Sequence, residues 1–176
     1  MKIRFVKGPR ADRVTFLRDD GSSVETVFPH KGPVPHDGVH VLVERGFAFR
    51  RGVCGWVAGG LHPEALAAMA KAGGHPSADR PGVVDPALVE LVQAERLVEC
   101  IEADLWGGPT EEADWLAVAA VACETSLVPM PVLPVGALQQ VRRELADFAR
   151  DWAATRLGEA VTLDWPEAAS AATWPG

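Results

Sequence analysis

Residues 28–44 read FPHKGPVPHDGVHVLVE and hold three of the chain's five histidines within eleven positions. Whether the second half of this stretch is a helix or a strand decides the fold around it. Val39, Val41 and Val43 alternate as in a strand, whereas Val39, Leu42, Val43 and Phe47 share one helical face. The punctuation favours a helix from about 35 to 46. Pro35 suits the first position, Asp37 suits the positively polarised first turn, and Gly46 suits the stop. The margin is narrow, because Gly38 costs about 1 kcal/mol in a helix interior and valine favours β structure. Ahead of it, Pro29, Gly32, Pro33 and Pro35 exclude regular structure and put His30 on a loop.

Toward the N-terminus, residues 2–6, 13–18 and 23–28 are rich in Ile, Phe, Val and Thr and are separated by the turn-forming clusters GPRAD and DDGSS. They predict a small antiparallel meander. Toward the C-terminus, the glycines of FAFRRGVCGWVAGG (47–60) predict an irregular connection with one short strand. A short helix is expected over 63–72 and a loop over HPSADRPG, residues 75–82. The longest helix is expected over 86–106, with Asp85 as cap, Pro86 behind it and Gly107–Gly108 as the stop. Residues 111–127 are apolar almost all round, which predicts the central helix of the fold. Leu138, Val141, Leu145, Phe148 and Trp152 form the buried stripe of a last helix over 136–157. The tail from 164 is expected to be loose unless Trp165 or Trp174 docks.

These elements predict an α+β fold, a β meander (1–30) followed by a mostly helical bundle (35–160), within a single domain. Its 176 residues suffice to bury roughly 70% of the unfolded chain's surface. No window is apolar enough for a membrane span, and the charged start MKIRFVKGPRADR lacks a signal core, so a cytoplasmic protein is expected. Cys54, Cys100 and Cys123 are odd in number and form no CxxC pair, which predicts buried free thiols. The net charge of -7 disfavours nucleic acid as a partner. That charge is uneven: residues 1–60 carry 10 basic against 6 acidic groups, and the rest 7 against 18.

The chemistry resides in HDGVH, residues 36–40. On a helix, His36 and His40 stand one turn apart on one side, where their ring nitrogens can converge on one metal ion. Over these five residues the stretch resembles the HExxH zinc helices, with Asp37 in place of the glutamate and one methylene shorter. Glu44 continues the spacing, but His36 to Glu44 spans about 12 Å of helix axis, so Glu44 is expected to hold the ring of His40. The other ligands must come from elsewhere. Glu95, Glu99 and Glu102 interleave with the apolar stripe of the 86–106 helix, while Glu90 and Asp104 are placed toward solvent. His30, His62 and Glu124 are further candidates.

The expected centre therefore has His36, His40, Glu95, Glu99 and Glu102 as ligands and Asp37 or Glu44 as general base. The ion would be zinc, manganese, iron or nickel, and hydrolysis of a small-molecule substrate the resulting chemistry. A single HDxxH has a plainer account, in which Asp37 caps the helix and each histidine makes one hydrogen bond. No serine lies in a nucleophile elbow, and VAGG (57–60) lacks a phosphate-loop pattern, so no nucleotide or flavin cofactor is indicated. The alternative function is a non-enzymatic binding or homodimeric assembly module, with Phe47, Phe49 and Trp56 exposed at the contact.

Overall fold

A computed structural model of the chain describes residues 1–30, 32–74 and 84–166. Strands β1 (Lys2–Val6), β2 (Ala11–Leu17) and β3 (Ser23–Pro29) form the expected meander. A fourth strand, β4 (Ala160–Asp164), returns from the far end of the chain and pairs antiparallel with β1, giving the order β3-β2-β1-β4. Strand periodicity puts Ile3, Phe5, Val14 and Phe16 on the buried face, and Lys2, Arg4 and Arg13 on the open one. The sheet and the helices thus form an α+β fold.

β4 is an element that the sequence does not predict. Its signal is only Val161 and Leu163 alternating within five residues of a half-buried edge strand, too short to read from periodicity. Trp165 then docks with its side chain buried, and its backbone N–H donates to the Met1 carbonyl (2.9 Å) while the Met1 amine donates back to Trp165 O (3.1 Å). Trp174 lies outside the described residues.

The helices are α1 (His36–Gly46), α2 (Val53–Ala58), α3 (Pro63–Gly74), α4 (Val89–Gly107), α5 (Glu112–Thr125) and α6 (Ala137–Ala154). α4 is preceded by a single 3-10 turn, Pro86–Leu88, in which the Asp85 carboxylate accepts from Ala87 N–H at 2.8 Å, the expected cap. The expected loop over 75–82 lies outside the described residues. α2 corrects the irregular connection: its glycines, Gly52 and Gly59, bracket one and a half turns rather than interrupt a strand. Phe47, Phe49 and Trp56, expected to be exposed, are all buried around it. No helix among the described residues is long and apolar enough to cross a membrane.

The central helix is α1, not α5. All seven residues from Gly38 to Glu44 are buried, with α4 and α6 packed against α1. This settles the valine ambiguity physically: a helix enclosed on every side buries Val39, Val41 and Val43 alike, so their strand-like alternation carries no information. α5, in contrast, buries only the stripe Trp115, Ala119 and Cys123, and leaves Leu116, Val118 and Val121 exposed. α6 presents the expected stripe, Leu138 through Trp152, to the core.

Gly38 lets α1 and α6 approach. A Cβ there would stand 2.5 Å from Cε1 of Phe148, whose buried ring is wedged between Phe5 (centroids 5.7 Å apart) and Trp152 (6.4 Å). The helix-propensity cost of this glycine is the condition for that contact. Gly38→Ala should therefore lower stability, because overpacking costs about 1–3 kcal/mol and outweighs the roughly 1 kcal/mol that alanine gains in helix propensity. A fall in the urea midpoint is expected, and a rise would show that the Phe148 ring gives way.

Candidate metal centre

His36 and His40 point from one side of α1 toward α4, and their rings meet edge to face with centroids 4.8 Å apart. Each ring is held from behind by a carboxylate. His36 Nδ1–H donates to Glu102 Oε1 of α4 at 2.7 Å, and His40 Nδ1–H donates to Glu44 Oε1 at 3.0 Å. An ionised carboxylate can only accept, so the proton of each neutral ring sits on Nδ1 and the Nε2 lone pair is free. The two Nε2 atoms face one another at 3.2 Å. Facing lone pairs repel, and the contact is favourable only with a positive centre between or beside them, either a shared proton or a metal ion.

Glu95 supplies a third donor from α4, with Oε1 3.8 Å from His40 Nε2. The donor atoms of His36, His40 and Glu95 all lie within 4.8 Å of one another. Ligands on one zinc ion at about 2.0–2.1 Å stand no more than about 4.2 Å apart, so the imidazole pair is within that spacing and Glu95 would reach it by torsional adjustments. Glu95 is only half-buried and free to make them.

Glu44 is fully buried and committed to three N–H donors. Besides the His40 ring, its two oxygens accept the N–H groups of Val53 and Cys54, each at 2.9 Å, at the start of α2. It ties the ring of His40 to the next helix, the contact its spacing implied. Gly52 makes the approach possible, since a Cβ there would overlap the Glu44 carboxylate. Asp37 is half-buried beside the cluster, and its carboxylate has no hydrogen-bond partner among the described residues. Burial pushes the Asp37 carboxyl above its ordinary range, against the opposing pull of His40 and His36.

The remaining candidates lie elsewhere. Glu99 is exposed and paired with Arg96 at 2.9 Å. Glu102 holds His36 through Nδ1 rather than joining the donor set. His30 is bound to Asp12 at 2.9 Å, His62 accepts the N–H of Glu64 in the first turn of α3, and Glu124 is exposed at the end of α5. Asp104, expected in solvent, is tied to Arg142 at 2.8 Å, and Glu90 accepts the N–H groups of Arg50 and Arg51. The Asp12–His30 pair escaped the sequence reading, because eighteen residues separate its members and nothing local signals the contact. Cys54, Cys100 and Cys123 are buried free thiols as expected; burial pushes Cys54 well up and Cys100 and Cys123 to about 11, which leaves them unreactive.

Comparison with protein-family models, with curated proteins and with solved structures finds no match to this chain.

Without a metal, His40 carries the positive centre itself. Burial lowers its affinity for a second proton, but the carboxylates of Glu95, Glu44 and Asp37 outweigh that and hold its pKa up at about 9. A histidine with a raised folded-state pKa stabilises fully below its unfolded value, and the contribution is lost as pH climbs through the folded one. Chelator-treated protein should therefore melt at progressively lower temperature as pH rises from 6.5 to about 9. His40→Gln should lack this fall, and a wild-type midpoint constant across the window would refute the protonated His40.

Proposed function

We propose that the chain is a metal-binding protein in which His36, His40 and Glu95 hold one divalent ion, and that the ion serves hydrolysis of a small molecule. One observation carries this reading: two imidazoles, each fixed through Nδ1 by a carboxylate, aim their free Nε2 atoms at one another across 3.2 Å. Carboxylate-backed histidines are the usual support of metal ligands. Two imidazoles and one carboxylate with a fourth position open match catalytic zinc sites, whereas structural sites are closed by four protein ligands. Zinc, manganese, iron and nickel all accept such donors.

An ion in an open site polarises an oxygen of the substrate and brings water to a pKa of about 7. The chain's residues then divide the work. Glu44 and Glu102 hold the rings, and Asp37, with no hydrogen-bond partner among the described residues and next in sequence to His36, is the group to receive the proton of the attacking water. A cytoplasmic setting fits the three free thiols.

Self-association is the second reading, favoured by the apolar face that α5 leaves uncovered: Val118 is 61% and Val121 58% exposed, with Leu116 beside them. A homodimer through that face is compatible with the metal centre, which lies on α1 and α4.

Elemental mass spectrometry of untagged protein across a size-exclusion peak tests both readings. Near-stoichiometric metal in the wild type, lost in the His36→Ala, His40→Ala double variant without loss of fold, is the expected result. Absence of metal from wild-type protein after incubation with zinc, manganese and nickel would eliminate the hydrolase. The apparent mass at two concentrations reports on the dimer.

A further inference from the structure

Between the 32–36 segment and the end of α4 lies a cavity of about 220 Å³. Pro33 and Val34 form one wall and Leu105 and Trp106 the other, with Glu102 and the Nδ1 edge of His36 at the polar end. The walls stand close, since a Cβ on Gly32 would lie 3.5 Å from the Trp106 ring. Neither His40 nor Glu95 lines this cavity, so its chemistry is separate from that of the metal centre.

The lining has one sign. Among the described residues it includes no lysine or arginine, and its carboxylate is that of Glu102. Oε1 of Glu102 accepts from His36 Nδ1–H at 2.7 Å, which leaves Oε2 without a hydrogen-bond partner among the described residues. The end of α4 adds to the negative potential, because its last turn has no basic residue and its free carbonyls are the negative pole of the helix. Arg142 of α6 reaches this turn but is committed to Asp104 at 2.8 Å. Trp106 is 69% exposed, and the face of an indole ring is itself negative. Carboxylate, helix terminus and ring face all favour a cation.

The walls decide which cation. A primary ammonium brings three N–H donors and a tightly held water shell, and one free carboxylate oxygen between aliphatic and aromatic walls leaves those donors unmet. A divalent metal ion needs more oxygen ligands than Glu102 supplies. A quaternary ammonium has no N–H to satisfy, and its methyl groups suit the Pro33, Val34 and Leu105 side chains as well as the Trp106 face. A cavity of about 150 Å³ is enough for benzene, so this one holds a trimethylammonium group with a short arm and excludes a folded peptide.

We infer that the cleft between Val34 and Trp106 binds a small quaternary ammonium compound, its methyl groups against the Trp106 ring and its charge beside Glu102. The site does not depend on the metal reading above. Trp106 and Glu102 are recognition residues rather than catalytic ones. A phosphate on the ligand would meet Glu102 and, on the other side of the 32–36 segment, the carboxyls of Asp12 and Asp37 that line a smaller cavity with Phe28. The ligand is therefore a free cation of the choline type and not a phosphorylated headgroup.

The test is calorimetric titration of the full-length protein, with chelator present so that no metal ion contributes. Choline is compared with its uncharged carbon isostere dimethylbutanol, with ethanolamine and with phosphocholine. Choline should bind roughly tenfold more tightly than each of the three. Glu102→Gln, which can still accept from His36, should remove most of the preference for choline over the isostere. Trp106→Ala, at an exposed position, should weaken choline roughly tenfold, and Trp106→Phe should retain part of the affinity. Phe28→Ala, which alters only the smaller cavity, should leave choline binding intact. The assignment is overturned by an isostere or ethanolamine that binds as tightly as choline, by choline affinity unchanged in Trp106→Ala or Glu102→Gln, or by affinity lost in Phe28→Ala. Phosphocholine binding as tightly as choline would contradict the free cation. Absence of choline binding would overturn the site and leave the metal centre untouched.

Discussion

The 3.2 Å contact between the Nε2 atoms of His36 and His40 is the constraint on which the rest of the centre depends. Its polarity is set from behind. Glu102 and Glu44 each accept a hydrogen bond from an Nδ1–H, so both neutral rings present a lone pair to the same point, where a third carboxylate from Glu95 arrives. A cluster of this charge needs a cation, and either a proton on His40 or a divalent ion satisfies it. The proton leaves Glu95 at 3.8 Å from His40 Nε2, beyond hydrogen-bonding distance. In the proposed metal-bound form an ion would engage all three donors.

The scaffold is built to hold that arrangement rigid. α1 is enclosed by α4 and α6, and the close approach of α6 requires Gly38 beneath Phe148. Glu44 is at once the support of His40 and the anion at the start of α2, where Val53 and Cys54 donate to it. Moving Glu44 would therefore loosen a helix as well as a ring, and Gly52 is the residue that leaves room for it. Burying a carboxylate is costly unless it is hydrogen-bonded, and Glu44 is held by three N–H donors.

Much of this is legible in the residues themselves, and what is not has physical causes. The meander, the long capped helix and the α6 stripe follow from local periodicity and punctuation. The i, i+4 histidines and the outer role of Glu44 follow from helical spacing once α1 is taken as a helix. The choice among Glu95, Glu99 and Glu102 needed the packing: on a helical wheel Glu95 and Glu102 lie only about 20° apart, whereas Glu99 lies about 60° from Glu102 and rotates out toward Arg96. β4 and the Asp12–His30 pair depend on partners far away in sequence, which no local pattern encodes. The expectation of a central helix at 111–127 failed because apolar composition shows what a helix could bury, not how many neighbours it has.

The most direct test is a crystal structure of zinc-soaked protein with anomalous data collected at the zinc edge. A single peak about 2.0–2.1 Å from the Nε2 atoms of both His36 and His40, with a Glu95 oxygen turned onto it, is the predicted result. Rings still 3.2 Å apart with no density between them, or zinc bound elsewhere, would contradict the metal centre and leave a protonated histidine pair in its place.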